Sequence, residues 1–254
     1  MKRNGFTLIE LVVTIVVVAI IGLGITTFVE FGLKGYSQSV ERQRLQGQAR
    51  FVLEKMGREV QYAVPNSIHI SAQGCLEFYP IQYAGFYTKQ EPINAIEFVI
   101  ANQNFDYSYT FAQHTRMVIN PTRIADLEID NAGNSVTGQS RSLQGVSSST
   151  AGDYYSVTMR PPSDSAANRV YIYMDNNRVS YCLQDMGDGT SARLVRENKG
   201  ATVTVATDLS LTESRFQFED SALQRGGLVH LDLLFFNGDE RSSYKHDIQV
   251  SNVP

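Results

Sequence analysis

A lone carboxylate, Glu10, stands five residues into an otherwise apolar stretch, and its position asks for a chemical explanation. Lys2 and Arg3 precede the stretch, and residues 11–25 are apolar apart from Thr14, Gly22 and Gly24. A carboxylate inside a bilayer costs about 2.5 kcal/mol or more at mid-helix and somewhat less near the interface. A partner of opposite charge offsets that cost. A free amino group, made by cutting the chain just before Phe6, would supply one. The anion would also fall in the first turn of the resulting helix, where the macrodipole favours it.

The rest of the sequence offers little other chemistry. Four histidines occur, His69, His114, His230 and His246, and none forms a His-x-x-x-His pair. His230 alternates with Leu228 and Asp232, so it is expected at solvent or an interface. There is no Gly-x-Ser-x-Gly, P-loop or GxGxxG pattern. Asp126, Glu128 and Asp130 share one face if their segment is a strand, and Asp185-Met186-Gly187-Asp188-Gly189 is a second acidic turn. Oxygen ligands of this kind can hold calcium, but neither run has the spacing of a known calcium loop. Both read as solvated turns. No metal, no cofactor and no catalytic residue is expected, and the chain reads as non-enzymatic.

These residues need elements to position them. Residues 6–31 form a 26-residue apolar segment. As a helix it would reach roughly 39 Å, enough to cross a hydrocarbon core of about 30 Å. Glu30 then falls at the far edge, where a carboxylate reaches water. Lys2 and Arg3 place the N-terminus in the cytoplasm and the remainder outside it. No small-residue cleavage site follows the apolar run, as a secretory signal would require.

Helical periodicity continues past Lys34. Leu45, Ala49, Val52, Met56, Val60 and Ala63 recur at spacings of three and four, an apolar stripe of period near 3.6. Pro65 ends the pattern. One helix over about 6–63 is predicted, its second half laid against something apolar. Gly22, Gly24, Gly32 and Gly35 are soft points in it, or sites of close helix packing in the membrane.

After Pro65 the period becomes two. Strands are predicted at 67–71, 75–79, 95–100, 107–111, 116–120, 154–160, 169–175, 178–183, 193–197, 201–207, 214–219, 228–236 and 243–250. Asn176-Asn177 predicts a tight hairpin between the strands on either side of it, and Asn237-Gly238-Asp239 a second. Residues 131–152, rich in Ser, Gly, Thr and Asn, read as a long surface loop. It is a divider between two lobes, a receptor-facing insertion or a disordered connection.

The chain has 254 residues, a net charge of −4, 13 Tyr, 13 Phe and no Trp, which suits a β-rich exported domain. An acidic chain offers no general electrostatic footprint for nucleic acid, and none is expected as a partner. Cys75 and Cys182 leave one intramolecular pairing. Outside the cytoplasmic membrane the pair is expected to oxidise, the alternative being two buried free thiols. The loop-closure model assigns such a bridge roughly 4–5 kcal/mol.

Lys2-Arg3-Asn4-Gly5 followed by Phe6-Thr7-Leu8-Ile9-Glu10-Leu11 resembles the leader of type IV prepilins and of type II secretion pseudopilins. The resemblance implies that a prepilin peptidase cuts between Gly5 and Phe6, that Phe6 is N-methylated, and that Glu10 registers the subunit during assembly. It implies an α+β pilin-like fold, with a long N-terminal helix packed on a β-rich head of antiparallel strands. The expected divisions are a leader at 1–5, a transmembrane and assembly half of the helix at 6–33, an amphipathic half at 34–64 and the head at 65–254.

The run from Arg42 to Gln61 is similar to the post-membrane helix of the larger minor pilins and of the J-type minor pseudopilin. The tail from His246 to Pro254 resembles the closing strand of the large minor pilins of the mannose-sensitive haemagglutinin (MSHA) pilus, the MshO type. The implied role is a minor pilin at the pilus tip that primes assembly and supports surface attachment. Its implied partners are the prepilin peptidase, other major and minor pilins, the inner-membrane assembly platform and the membrane itself. The implied location is the inner membrane with a periplasmic head, then the extracellular pilus. A J-type pseudopilin, a glycan-binding tip adhesin and an uncleaved membrane receptor stay open as alternatives.

Overall fold

The computed structural model describes residues 5, 7–102, 104–149, 153–220, 227–238 and 240–250. A single helix, α1 (Leu8–Gln61), runs for 54 residues, about 81 Å at 1.5 Å per residue. Thr7, in extended conformation, caps its start, and Pro65 follows shortly after Tyr62 at its end. The four glycines of its first half leave the helix unbroken. The bounds differ from the expected 6–63 by two residues at each end, the usual latitude where helix ends fray; Phe6 itself lies outside the described residues. Every member of the stripe Leu45, Ala49, Val52, Met56, Val60 and Ala63 is fully buried.

The stripe faces the first of two sheets. This sheet holds β1 (His69–Ile70), β2 (Leu76–Phe78), β9 (Val179–Asp185), β10 (Ser191–Asn198), β11 (Ala201–Ser210), β12 (Arg215–Glu219), β13 (Leu228–Asn237) and β14 (Glu240–Gln249). β14 pairs with β13 along its whole length, while β12 and the end of β11 share the other edge of β13. Alternate residues of β13, namely Val229, Leu231, Leu233 and Phe235, point into the core that α1 covers. The period of 3.6 on the helix thus meets the period of two on the strand, and each apolar face hides the other from water.

The second sheet runs in the order β6 (Ser140–Ser142), β5 (Thr115–Ile119), β8 (Arg169–Met174), β3 (Tyr83–Gln90), β4 (Ala95–Ile100) and β7 (Tyr155–Thr158). Every strand pairing among the described residues is antiparallel, so the chain is α+β. β8 is buried on both faces. Val170 and Ile172 enter one core, and Tyr171 and Tyr173 enter another beside Val64, Tyr79 and Leu127. A disulfide joins Cys75 to Cys182 across 107 residues, with a Cα–Cα distance of 4.4 Å. It extends the β2–β9 register, where Leu76 faces Tyr181, by one cross-strand pair.

Three expectations fail here for physical reasons. Asn176-Asn177 does not make a hairpin. Both edges of β8 are taken, by β5 and β3, so β9 has no place beside it and the chain crosses to the other sheet. Residues 107–111 form no strand. Tyr107, Tyr109 and Phe111 do alternate inward, but onto the aromatic face of the second sheet, and the Tyr155 hydroxyl donates to the Tyr109 carbonyl at 2.7 Å. The 131–152 segment is not structureless where it is described. Ser140–Ser142 forms edge strand β6, and Leu143 is fully buried.

β3 carried no clear alternation, because Gly85 interrupts it. That glycine permits a close approach of backbones. A Cβ at position 85 would lie 1.8 Å from the Val99 carbonyl oxygen and 2.9 Å from its carbon. Backbone cannot rotate away, so Gly85→Ala must push β3 from β4. The expected loss is about 3 kcal/mol, read as a fall of roughly 6–12 °C in Tm. An unchanged melting curve would refute the close approach.

Candidate assembly site along the N-terminal helix

The start of α1 carries the site that the sequence singles out. The Thr7 Oγ1 accepts a hydrogen bond from the Glu10 N–H at 3.4 Å, satisfying one of the orphan donors of a helix start. The spacing Thr-x-x-Glu is a helix-start pattern in its own right, so Thr7 was a legible part of the site that attention to the carboxylate alone passes over. Among the described residues no hydrogen bond or ion pair holds the Glu10 carboxylate, and Glu10 is exposed. Gly5 is described and exposed. The bond expected to be cut, and Phe6 as the methylated residue, fall outside the described residues.

Beyond Glu10 the helix presents apolar surface on all sides. Phe28 is 79% exposed and Leu23 71%, and no part of the most apolar window is covered by the rest of the chain. The helix is long and apolar enough to cross a membrane. Two of its hydroxyls are settled on its own backbone: Thr14 Oγ1 donates to the Leu11 carbonyl at 2.9 Å, and Thr26 Oγ1 to that of Leu23 at 2.9 Å. Neither needs water, which suits hydrocarbon surroundings. At the far end Glu30 meets Lys34 at 2.7 Å, a pairing one helical turn apart.

The second half of α1 is strapped to the head on two flanks. Arg42 forks onto Glu240 at the start of β14, at 2.8 and 3.3 Å. Arg44 reaches Asp208 on β11 at 2.9 Å and also holds Glu41. Near the helix end Glu59 accepts from Lys55 at 2.8 Å and from Arg196 of β10 at 2.9 Å. Burial pushes the Glu59 carboxyl up, but these two cations outweigh it and hold it below the usual carboxylate range. A hydrogen bond to Glu240 holds Arg42 above its ordinary value. None of these long-range partners was visible in the sequence, because Arg42 and Glu240 are 198 residues apart.

The acidic runs on the head are used by the fold. The Asp126 carboxylate accepts from the Thr122 and Arg123 N–H groups at 2.8 and 3.2 Å. Asp130 accepts from Ala132 and Asn134, Asp185 from Gly187 and Gly189, and Asp188 from Thr190 and Ser191. Asp126 sits in a 3-10 turn (Ile124–Asp126) and not in a strand, so the three acids do not line one strand face. Among the described residues no group of three or more His, Cys, Asp or Glu is arranged to hold a metal ion.

The histidines are mostly paired. His230 Nδ1 lies 2.7 Å from Asp247 and its Nε2 lies 3.4 Å from Glu219, and the bond to Asp247 raises its pKa. His114 meets Asp175 at 2.8 Å and His69 meets Glu77 at 3.4 Å.

Residues 1–26 match the family described as the prokaryotic N-terminal methylation motif. No curated protein and no solved structure matches the chain. The motif supports a type IV pilin-like or pseudopilin-like subunit, structural in kind, that is processed by a prepilin peptidase and anchored in a membrane before assembly.

Proposed function

We propose that this chain is a minor type IV pilin that primes assembly from the pilus tip, most like the MshO type of the MSHA system. The observation that carries the reading is the uncovered apolar half of α1, with one carboxylate at its start that has no partner among the described residues, continuing without a break into a half that is bound to a large head. In the bilayer the apolar half stores the subunit. In a fibre it exchanges lipid contacts for helix–helix packing, and Glu10 exchanges a costly site for the amine of a processed Phe6.

The head, about 190 residues from 65 onward, is bulky for a repeating subunit. That bulk favours few copies at the tip, where a wide head meets no neighbour above it. The Cys75–Cys182 bridge suits a head on the oxidising side of the membrane. The J-type pseudopilin of a type II secretion system is the second reading, since its post-membrane helix shares the same pattern.

Intact-mass measurement of the chain from its native membrane tests the premise. The expected species begins at a methylated Phe6. A chain that retains Met1 in cells with an active prepilin peptidase would overturn the reading.

A further inference from the structure

β14 closes the first sheet, and among the described residues no strand pairs with its other, long edge. Its ten residues pair with β13 in one unbroken register, from Asn237 opposite Glu240 to Leu228 opposite Gln249. The Val250 N–H donates to the Gly227 carbonyl at 2.9 Å. In an antiparallel ladder, bonded residues recur every second position. The even-numbered residues of β14 therefore face β13, and Arg241, Ser243, Lys245, Asp247 and Gln249 turn their N–H and C=O groups to the open side. β1, β6, β7 and β12 are only two to five residues long. β11 is exposed along Ala201–Thr204 alone. Natural sheets usually shorten, bulge or cover an edge as long as that of β14.

This edge also borders a groove. Gln46, Arg50, Leu53 and Glu54 of α1 and Tyr244 and His246 of β14 line a trough of about 460 Å³. Leu53 and Tyr244 are its half-buried apolar floor. The charges around it are unbalanced. Glu54 is held by Arg58, Asp247 by His230, and Arg241 by Glu213. Arg50 and Lys245 have no ion-pair or hydrogen-bond partner among the described residues. The groove lies on the second half of the same helix.

We propose that the open edge of β14 and its groove take an extended acidic segment from the head of a neighbouring fibre subunit, adding one strand to the sheet. The inference rests on the fibre-subunit reading. Backbone pairing to five outward residues supplies the affinity, and Arg50 and Lys245 select for acidic side chains.

Hydrogen exchange on the full-length chain separates the two ideas. It is measured residue by residue in detergent and again in sheared, purified fibres. In fibres the amides of Arg241, Ser243, Lys245, Asp247 and Gln249 are expected to exchange at least about 100-fold more slowly than in detergent, while those of the even-numbered residues are slow in both. Two variants follow. Ser243→Pro removes one outward N–H without touching the β13 ladder, and Arg50→Glu reverses a groove charge without touching the strand. Each is expected to lower the fraction of the chain recovered in fibres about tenfold with Tm unchanged. Wild-type chain present in fibres with unprotected odd-numbered amides overturns the edge alone. Wild-type chain absent from fibres overturns the subunit reading and the edge with it. Normal incorporation of Arg50→Glu removes the acidic partner.

Discussion

A Glu10→Val chain is expected to be cut and methylated normally, to keep the head's Tm, and to enter fibres at least about tenfold less often than wild type. The proposed processing site lies upstream of the change, and among the described residues Glu10 makes no hydrogen bond or ion pair with the head. Two effects then act in the same direction. Valine lowers the cost of staying in the bilayer, where the carboxylate costs about 2.5 kcal/mol at mid-helix. It also removes the anion that a processed Phe6 amine would meet in the fibre, leaving an uncompensated charge in apolar surroundings. A tenfold effect needs only about 1.4 kcal/mol, so the prediction is conservative. The measurement is the fraction of chain recovered in sheared fibres over that in membranes. Equal fractions for Glu10→Val and wild type would mean that the amine has another partner. Glu10→Asp separates charge from reach: it keeps the anion and is expected to restore part of the loss.

The second large effect concerns the head. Replacing Cys75 and Cys182 together by Ala is expected to lower stability by about 4–5 kcal/mol, because an opened loop of 107 residues regains its chain entropy in the unfolded state. For a head of this size that is a drop in Tm of roughly 10–20 °C. The same loss is expected from reducing the wild-type chain. Glu10→Val and the double cysteine variant thus fail at different stages, one with a sound head and no incorporation, the other with a weakened head and intact processing. If thermal unfolding with and without reductant superimposes, the bridge contributes no such constraint.

How much of this was legible varies with the kind of signal. The stripe from Leu45 to Ala63 was fully readable, because an amphipathic helix writes its buried face into the sequence at a fixed period. Alternation was less decisive. At 107–111 it reports that one side is buried, and it is silent on whether the backbone pairs with a strand or the carbonyls take a tyrosine hydroxyl. Asn176-Asn177 announces a turn, but nothing local tells which strands flank it, and the occupied edges of β8 decide that.

In the candidate site, Glu10 stood out because a charge in an apolar run is costly. Thr7 was readable from its spacing to Glu10. The straps Arg42–Glu240 and Arg44–Asp208 were not, since their partners lie 198 and 164 residues away and ordinary surface charges carry no mark of their mates.

The unbroken helix has a mechanical consequence. Its two halves share one backbone, but only the second is attached to the head, over between five and six turns from Arg42 to Gln61. A pull on the head therefore reaches the helix as shear spread over the apolar stripe and both rows of ion pairs, all loaded in parallel. The first half carries the same tension through its hydrogen-bond ladder alone, with Gly22, Gly24, Gly32 and Gly35 as the residues least resistant to extension. Under load the chain lengthens along its stem before the head is disturbed.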